Sequence, residues 1–284
     1  MAYVPTIKRR RLGAALRRLR EETGQSTESA AAVLGWSQSK VSRIETAATA
    51  VRPADVRSLL ELYGALSDEI TDLVNLAMED RQPAWWRQYN EVLPDNFSGY
   101  LGLESEATQI SAYESEVVHG LLQTDAYARQ ILGQHPLTVM PYEIEQSTRL
   151  RLARQAHLGG DDPLQLDIVI NEGALRRVIG GPDVLREQLA HLVEMAATPN
   201  VTVRILPFTA GAHPATHGSF AVLEFPDPDD PRIVCLDTMA TTFYREGLRE
   251  VGAYQLAHER LGALALDPEG SSEFIRQMIE EGTP

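Results

Sequence analysis

The sequence predicts two domains of different fold class. The first 80 residues contain only helical patterns, which predict an α-helical N-terminal domain of five short helices. Strand-length apolar segments occur only after Pro163 and are separated by a further helical pattern, so residues 101–284 predict a C-terminal α/β domain. With 284 residues, of which 43% are hydrophobic, the chain is long enough to bury two cores.

The five N-terminal helices are marked by apolar spacing and by end signals. Leucines recur at helical spacing over residues 12–19 and define the first helix. A second short helix begins at the capping residue Ser26, and Gly35 supplies the tight turn into a third. Pro53 stands where the first residue of a fourth helix is expected, and apolar residues within 70–77 mark a fifth. The succession of helix, turn and helix predicts a helix-turn-helix domain.

The third helix, within residues 36–45, has the composition of a helix that contacts DNA. Ser37 can cap it by accepting a hydrogen bond from the first turn, and only Val41 and Ile44 are expected to face inward. The outward side chains are of the types that hydrogen-bond base edges or phosphates: Gln38, Ser39, Lys40, Ser42 and Arg43. We therefore predict that this helix binds double-stranded DNA.

The DNA contacts are expected to divide between bases and backbone. Gln38, Ser39 and Arg43 should lie closest to the bases, because Gln and Arg can bond a base edge bidentately. The predicted DNA-binding residues are Thr27, Ser37, Gln38, Ser39, Lys40, Ser42, Arg43, Thr49 and Arg52, of which Thr27, Thr49 and Arg52 are assigned to the backbone. Two alternatives stay open: helix-turn-helix folds also serve as protein-interaction modules, and a polar helix face is often only solvated.

Charge is divided unevenly along the chain. Residues 1–66 contain eleven basic and six acidic residues, a balance of +5, whereas the other 218 residues carry 15 basic and 34 acidic residues, a balance of −19. Phosphate attracts the first part and repels the second. We therefore expect the acidic domain to face away from bound DNA.

A set of residues in the first three predicted helices forms one motif: Leu19-Arg20, Gly24, Ser26, Ala31, Leu34-Gly35 and the run from Ser37 to Glu45. It resembles the XRE, or Cro/CI-type, helix-turn-helix transcriptional regulators. In that family the Arg of the first helix pairs with the Glu that closes the recognition helix, so the resemblance implies an Arg20–Glu45 ion pair. The second helix of the family typically begins with a phosphate-contacting Gln. Here it begins with Thr27, which implies that this contact is weakened or lost.

The second domain is expected to begin with an aromatic connector and a helical preamble. The connector, residues 81–100, contains Trp85 and Trp86 and is interpreted as a linker packed on the following core, or alternatively as an anchor for a partner. Helical periodicity follows over residues 101–132 and 142–158. The second of these helices carries three arginines, expected on a solvated or salt-bridged face, with a second nucleic-acid patch as the alternative: Arg149, Arg151 and Arg154.

The remainder of the second domain predicts a strand-helix-strand unit and a hairpin. Four strand-length segments are predicted, at residues 164–170, 201–206, 219–225 and 232–236. A helix at about 182–197 separates the first two, and the Pro-Asp turn cluster at 226–231 joins the last two. Helices over about 244–266 and 271–281 are expected to close the chain.

No catalytic residue, cofactor or metal site is predicted. The side chains considered were Glu172, His213, His217, Ser219, Cys235 and Asp237. Glu172 follows a strand, as catalytic carboxylates often do, but strand ends also simply begin loops. The two histidines lie beside Pro and Gly, which predict a loop rather than a helix face with two metal ligands. Cys235 is the single cysteine and is expected to be an inert core thiol, with a redox sensor as the alternative.

A second motif consists of residues spread over 85–280. It includes Trp85-Trp86, Glu104, Gly120-Leu-Leu-Gln-Thr124, Arg154-Gln155 and Asn171-Glu172. It resembles the C-terminal domain of antitoxin-like, WhiJ-type transcriptional regulators of high-GC Gram-positive bacteria. The resemblance implies repression near the protein's own gene, with a small BldB-like or toxin-like protein partner encoded beside it. Two positions depart from the family: His119-Gly120 stands where Pro-Gly is usual, and Asp237 where Glu is usual.

These patterns predict a sequence-specific DNA-binding regulator that works as a homodimer on an operator with paired half-sites, and the resemblance implies that it is a repressor. The half-sites are expected about one helical turn, roughly 34 Å, apart. No apolar run reaches membrane-spanning length, so a cytoplasmic, nucleoid-associated protein is expected. The first alternative is a metabolite-responsive transcription factor whose C-terminal domain binds a small ligand. An enzyme fused to a DNA-binding domain and a scaffold with a degenerate DNA-binding domain are further alternatives.

Overall fold

The computed structural model describes residues 5–81, 84–94, 97–136, 140–239 and 241–282. The chain divides into two compact units, residues 1–87 and 88–284. The first is helical, and the second combines a mixed β-sheet with helices, as the sequence predicted. No helix within the described ranges is long and apolar enough to cross a membrane.

Five helices form the described part of the first unit: α1 (Ile7–Glu22), α2 (Thr27–Leu34), α3 (Gln38–Glu45), α4 (Pro53–Leu62) and α5 (Ser67–Asp80). Ser26 and Ser37 cap α2 and α3 by accepting hydrogen bonds from backbone N–H groups at 3.0 and 3.3 Å. Gly35 has a φ of 66°, a left-handed conformation in which glycine has no steric cost. It ends α2 and turns the chain into α3, as predicted.

One apolar core joins these helices. Its buried members come from all five helices and from the loop after α3: Leu12, Leu16, Leu19, Ala30, Ala31, Val41, Ile44, Val51, Val56, Leu59, Leu60, Tyr63, Val74 and Ala77. Each fully buried aliphatic side chain contributes about 1.5–3 kcal/mol relative to exposure. The core therefore fixes the position of α3, because two of the eight residues of that helix belong to it.

The described part of the second unit contains a six-stranded mixed sheet. Its strands are β1 (Gln109–Glu114), β2 (Gln165–Asn171), β3 (Val201–Leu206), β4 (Phe220–Glu224), β5 (Ile233–Asp237) and β6 (Thr242–Arg245). Their spatial order is β3-β2-β1-β4-β5-β6. The neighbours β1, β2 and β3 are parallel, and the other pairs are antiparallel.

The helices of the second unit lie before, between and after these strands. They are α6 (Phe97–Glu106), α7 (Asp125–Gly133), α8 (Pro141–Arg154), α9 (Glu172–Arg176), α10 (Pro182–Met195), α11 (Leu248–Leu264) and α12 (Pro268–Glu281). The predicted strand-helix-strand unit corresponds to β2, α10 and β3. The predicted hairpin corresponds to β4 and β5, which pair around the Pro-Asp cluster.

Both faces of the sheet are covered. On one face Tyr113, Val169 and Phe220 form a cluster with Val251 and Leu261 of α11. On the other, strand register places three side chains in one row, each at most 1% exposed: Ala112, Ile168 and Val203. Parallel strands need this coverage, since their crossover connections lie over both faces.

The helical pattern predicted over residues 101–132 was wrong in its middle. The chain leaves α6 at Glu106 and enters β1, in which four of six residues are buried. The sequence of β1 alternates between polar and apolar residues only over 109–112, which is too short a segment to interrupt the helical pattern on either side of it. For the same reason the prediction that strands begin only after Pro163 was wrong.

Two further boundaries differ from the predictions. The helix expected from about residue 244 begins at Leu248, because Thr242–Arg245 pair with β5 as the edge strand β6. Four residues are too few for a clear alternation. The predicted aromatic connector contains a 3₁₀ helix, Trp85–Val92, and α6 already begins at Phe97. Residues 82, 83, 95 and 96 of that connector lie outside the described residues.

Candidate functional site

Helix α3 is anchored on its inner face and at its last residue. Val41 and Ile44 are buried, as predicted, and so is Glu45. Arg20 Nε and Nη2 donate to the Glu45 carboxylate at 2.8 and 2.9 Å. The Tyr63 hydroxyl donates to the same group at 3.4 Å. The ion pair implied by the family resemblance is therefore present, and it connects α1 to the end of α3.

Gly13 sets how closely α1 approaches α3. A Cβ atom at this residue would lie 2.7 Å from the carbonyl oxygen of Glu45 and 3.0 Å from that of Ile44. Glycine inside a helix costs roughly 0.5–1 kcal/mol relative to alanine, so its presence in the middle of α1 needs a reason. The close backbone approach supplies it. This role of Gly13 was not predicted, although a glycine among helical leucines is a visible signal.

Gly13→Ala is expected to destabilise the first unit by about 1–3 kcal/mol and to weaken DNA binding, because the added methyl group pushes the end of α3 away from α1. Thermal unfolding followed by circular dichroism, together with DNA affinity of the full chain, measures both effects. Ala14→Ser, at the exposed neighbouring residue of α1, is the matched control. A more stable Gly13→Ala variant, as helix propensity alone would give, would contradict the close approach.

The side chains predicted to read bases are accessible. Gln38, Ser39 and Arg43 are exposed on α3, whereas Ser42 and Lys40 are half-buried. Arg43 Nε donates to the carbonyl oxygen of Ser39 at 3.2 Å, which is the one hydrogen bond of this side chain among the described residues. Its two terminal nitrogens therefore remain open for a bidentate contact.

Lys40 is held more firmly than the sequence suggested. Its ammonium group lies 3.0 Å from the Asp55 carboxylate and 3.4 Å from the centre of the Trp36 ring. These contacts join α3 to the first turn of α4 and to the turn that precedes α3. Part of the charge of Lys40 is thus compensated within the unit.

Thr27 and Gln38 meet at the starts of their helices. The Gln38 side-chain amide donates to the Thr27 hydroxyl at 3.2 Å. The residue that stands in place of the family's phosphate-contacting Gln therefore orients a predicted base-reading side chain. Ser37, also predicted at the interface, is exposed and is engaged as the cap of α3.

A concavity of about 220 Å³ opens beside the end of α3. Four predicted residues line it together: Lys40, Arg43, Thr49 and Arg52. Arg81, which follows α5, lines it as well and was not predicted as a DNA contact. No local pattern marks Arg81, since the packing of α5 on α1 and α4 brings it there.

The positive balance of residues 1–66 does not describe the whole helical unit. Helix α5 contributes five acidic residues, so residues 1–80 contain eleven basic and eleven acidic side chains. Three basic residues of α1 pair with α5: Lys8 with Glu79 at 2.9 Å, Arg9 with Asp80 at 2.9 Å and Arg18 with Glu69 at 2.7 Å. The basic character of α1 is therefore largely structural.

Uncompensated positive charge is concentrated at the concavity. Among the described residues, Arg43, Arg52 and Arg81 have no carboxylate within 4.0 Å. Asp55 lies in the same concavity but is paired with Lys40. Guanidinium groups gathered in this way suit phosphate, and their attraction is local rather than a property of net charge.

Glu172, considered above for catalysis, has both carboxylate oxygens engaged in the fold. One accepts from Arg176 Nε at 2.6 Å and the other from the backbone N–H of Phe208 at 2.7 Å. It thereby connects the end of β2 to the segment after β3. Asp237 is exposed at the end of β5, and its carboxylate accepts a hydrogen bond from the Thr242 hydroxyl at 2.6 Å.

The remaining candidates do not converge on a reactive group. His213 and His217 lie in the loop between β3 and β4, as predicted, and His213 Nδ1 accepts from the backbone of Ala215. Ser219 hydrogen-bonds the backbone and hydroxyl of Ser115. Cys235 is buried in β5, where burial raises the pKa of its thiol well above the usual value. Over the described part of the chain, no three His, Cys, Asp or Glu side chains gather as they would around a metal ion.

Arg149 fits the solvated or salt-bridged face predicted for the arginines of α8, whereas Arg154 forms its salt bridge in the interior. Arg149 is exposed and pairs with Glu145 at 2.7 Å, but Arg154 is buried. Arg154 Nε and Nη2 each donate to Glu104 of α6 at 2.7 Å. Burial alone would raise the pKa of Glu104, but the charge and hydrogen bonds of Arg154 outweigh it and hold that pKa below the usual range.

His119 and Glu114 are two further ionisable groups of this interior. His119 Nε2 lies 3.9 Å from the Glu114 carboxylate, and His119 Nδ1 accepts from the backbone of Leu121 at 3.3 Å. Burial and the nearby Arg154 lower the pKa of His119 to about 4. Burial raises the pKa of Glu114 to about 8. Both side chains are therefore neutral near pH 7.

The low pKa of His119 predicts a loss of stability in acid. In the unfolded chain this group binds a proton near pH 6.5, whereas the folded unit resists protonation down to about pH 4. The free energy of unfolding should therefore fall by up to about 3 kcal/mol as the pH decreases through this window. His119→Asn keeps an acceptor near Nδ1 and removes the proton site.

Urea titrations of both chains at several pH values test this prediction. The difference in the free energy of unfolding between wild type and variant reports on His119 alone. The contribution of Glu114, which has the opposite pH dependence, is present in both chains and cancels. The variant should gain relative stability from pH 6.5 towards pH 4. A difference that does not vary with pH would contradict a buried neutral imidazole.

Two family models match the chain. Residues 11–73 match a helix-turn-helix domain, and residues 97–277 match a domain of unknown function (DUF5753). No curated protein and no solved structure matches. The first match contains α2, the turn and α3, and it supports a DNA-binding regulator. The second match extends over more than half of the sequence. The chain therefore belongs to the DUF5753 family and carries that domain after a helix-turn-helix domain.

Proposed function

We propose that the protein is a sequence-specific transcriptional repressor whose helix α3 enters the major groove of its operator. The observation that carries this proposal is the two-sided construction of α3. Val41, Ile44 and Glu45 hold it in the unit, while Gln38 and Arg43 are exposed with donors available for base edges. A merely solvated helix needs no such anchoring by a buried ion pair.

The proposed contacts divide between bases and phosphates. Gln38, Ser39 and Arg43 read bases, with Ser42 beside them. Arg43 also reaches the concavity, whose other open guanidinium groups, Arg52 and Arg81, bind the sugar-phosphate backbone together with Thr49. Thr27 contributes by orienting Gln38, and Ser37 by capping the helix. Lys40 contributes less than the sequence suggested, because Asp55 compensates its charge.

Operator recognition by a single unit of this size would have little specificity. One small module buries roughly 600–1,000 Å² of protein surface on DNA, at the low end for specific complexes. A homodimer on two half-sites, about one helical turn apart, doubles that area. Because the two binding free energies add, it also squares the ratio of affinities for correct and incorrect half-sites. We therefore propose dimeric binding in the nucleoid.

The role of the second unit is proposed from the family resemblance. Residues 85–280 resemble WhiJ-type, antitoxin-like regulators, which implies autoregulation and a small BldB-like or toxin-like partner encoded nearby. The acidic charge of this unit, with 13 basic and 29 acidic residues over 88–284, favours a surface that stays away from phosphate and is free to bind protein. Co-expression of the full chain with the small protein of an adjacent gene, followed by affinity purification, tests this part. Separate elution of the two proteins at low salt would count against it.

Selection of bound duplexes from a random DNA pool tests the proposed function. The full chain should enrich one motif with two related half-sites, and footprinting should protect both, with centres about one helical turn, roughly 34 Å, apart. Enrichment of a single unpaired half-site would contradict dimeric binding. Absence of any enriched motif would contradict sequence-specific recognition.

A further inference from the structure

A cavity of about 240 Å³ lies within the second unit. Most of its wall area is apolar, with contributions from Phe97 at the start of α6, Leu132 of α7, Leu150 of α8 and Met239 after β5. Polar residues also line it: His135, Ser147, Asp237, Thr238, Thr241 and Thr242. Arg151 and Arg154 reach the same cavity from α8. An apolar wall with a few charged groups on one side is the usual composition of a small-molecule site.

The two arginines differ in their partners. Arg154 is paired with a carboxylate, because Glu104 accepts two hydrogen bonds from it, and the rings of Phe97 and Tyr100 flank its guanidinium at 5.5 and 5.3 Å. Arg151 donates one hydrogen bond, from Nη1 to Gln123 Oε1 at 2.7 Å, and has no carboxylate within 4.0 Å among the described residues. In the described part of the chain, Arg151 therefore has no directly bonded carboxylate at the cavity wall, although Asp237 of the same cavity attracts it through space.

Gln123 fixes the direction of this open guanidinium. Its side chain is buried, and its amide donates to the carbonyl oxygen of Val118 at 2.6 Å while its oxygen accepts from Arg151. A positioned arginine loses less conformational entropy when it binds an anion. Burial and the neighbouring charge of Arg154 lower the pKa of Arg151 to about 10, against the attraction of Asp237, Glu114 and Glu104.

We propose that this cavity binds a small organic carboxylate. Its carboxylate group pairs with the open side of Arg151, and its apolar body lies against Phe97, Leu132 and Leu150. The planar guanidinium can donate two parallel hydrogen bonds to a carboxylate. The mostly apolar wall disfavours a ligand that carries charged groups on several sides. Asp237 at the cavity repels any anion, and it repels a dianion such as phosphate more strongly than a monoanionic carboxylate. The proposal concerns the second unit alone and holds whether or not the chain represses transcription.

Calorimetric titration of the full chain with phenylacetate tests the proposal, with phenylacetamide as the neutral analogue of the same shape and inorganic phosphate as the compact anion. Phenylacetate should bind saturably at one site, and the other two compounds should bind at least about tenfold more weakly. Equal binding of phenylacetate and its amide would overturn the role of charge. Tighter binding of phosphate would overturn the organic carboxylate, and absence of saturable phenylacetate binding at millimolar concentration would overturn the site itself.

Variants locate the binding. Arg151→Gln should weaken phenylacetate binding at least about tenfold. It should fold, because it removes a charge to which no carboxylate is directly bonded among the described residues and keeps a polar group near Gln123. Arg149→Gln removes the exposed arginine two residues earlier on α8 and should leave phenylacetate binding unchanged. Unchanged binding by Arg151→Gln, or equal loss in both variants, would overturn the assignment. The comparison of phenylacetate with its amide on the unaltered chain tests the proposal independently of any variant.

Discussion

Glu104→Gln is expected to destabilise the second unit by about 3–5 kcal/mol, because it leaves the buried Arg154 guanidinium without its counter-charge. Glu104 is 1% exposed and accepts two hydrogen bonds of 2.7 Å from Arg154. Such a pair contributes little net energy against an apolar replacement, but the loss of one partner leaves a charge in a medium of low polarity. Urea unfolding of the full chain, followed by far-ultraviolet circular dichroism, measures the effect.

Two further variants make this prediction specific. Glu194→Gln removes a carboxylate that is exposed on α10 and should change the free energy of unfolding by less than about 0.5 kcal/mol. Glu104→Met combined with Arg154→Met removes both charges and should recover much of the loss. A double variant as unstable as Glu104→Gln alone would show that shape, rather than charge pairing, governs this position.

Arg43→Ala is expected to abolish specific operator binding while the fold remains intact. Arg43 is exposed, bonds only the carbonyl oxygen of Ser39 among the described residues, and contributes nothing to the core. A bidentate arginine contact discriminates between bases by about 1–3 kcal/mol in each half-site, and a dimer loses two such contacts. Affinities for the selected operator and for a scrambled duplex of equal composition measure this loss.

Arg17→Ala is the matched control for loss of one positive charge. Arg17 is 62% exposed and pairs with Glu21 on α1, away from the core. The Arg17→Ala variant should leave the ratio of specific to non-specific DNA affinity unchanged. If Arg43→Ala retained the ratio of the wild-type chain, Arg43 would not be a base contact, and the assignment of α3 as the recognition helix would fail.

Much of the first unit could be predicted because its signals are local. Ser26 and Ser37 cap helices within three residues of their partners, and Gly35 acts through its own backbone conformation. The inward and outward sides of α3 follow from helical spacing alone. These features depend on neighbours in sequence, so the sequence displays them directly.

The contacts that position α3 were more difficult to predict from the sequence, because they join distant parts of the chain. The close approach at Gly13 depends on the backbone of residues 44 and 45, and Arg81 reaches the concavity only through the packing of α5. The ion pairs between α1 and α5 also required both helices to be considered together. A charge count that ended before α5 therefore overstated the basic character of the unit.

In the second unit, burial made both a strand and an ion pair difficult to predict from the sequence. Strand β1 is short and its polar Ser111 is buried, so its sequence does not clearly distinguish it from the neighbouring helices. Arg154 and Glu104 are 50 residues apart, and nothing around either residue indicates that they meet in the interior. A run of arginines on one helix is usually solvated, and the difference between Arg149 and Arg151 depends on neighbours that only the fold supplies.

The most direct test of sequence-specific DNA binding is the affinity of the full chain for its selected operator relative to a scrambled duplex, measured at physiological salt and at several salt concentrations. We expect the operator to bind about 10³-fold or more tightly, with both affinities falling as salt increases. Equal affinity for the two duplexes, or negligible binding to either that does not depend on salt, would contradict the account of α3 as a recognition helix.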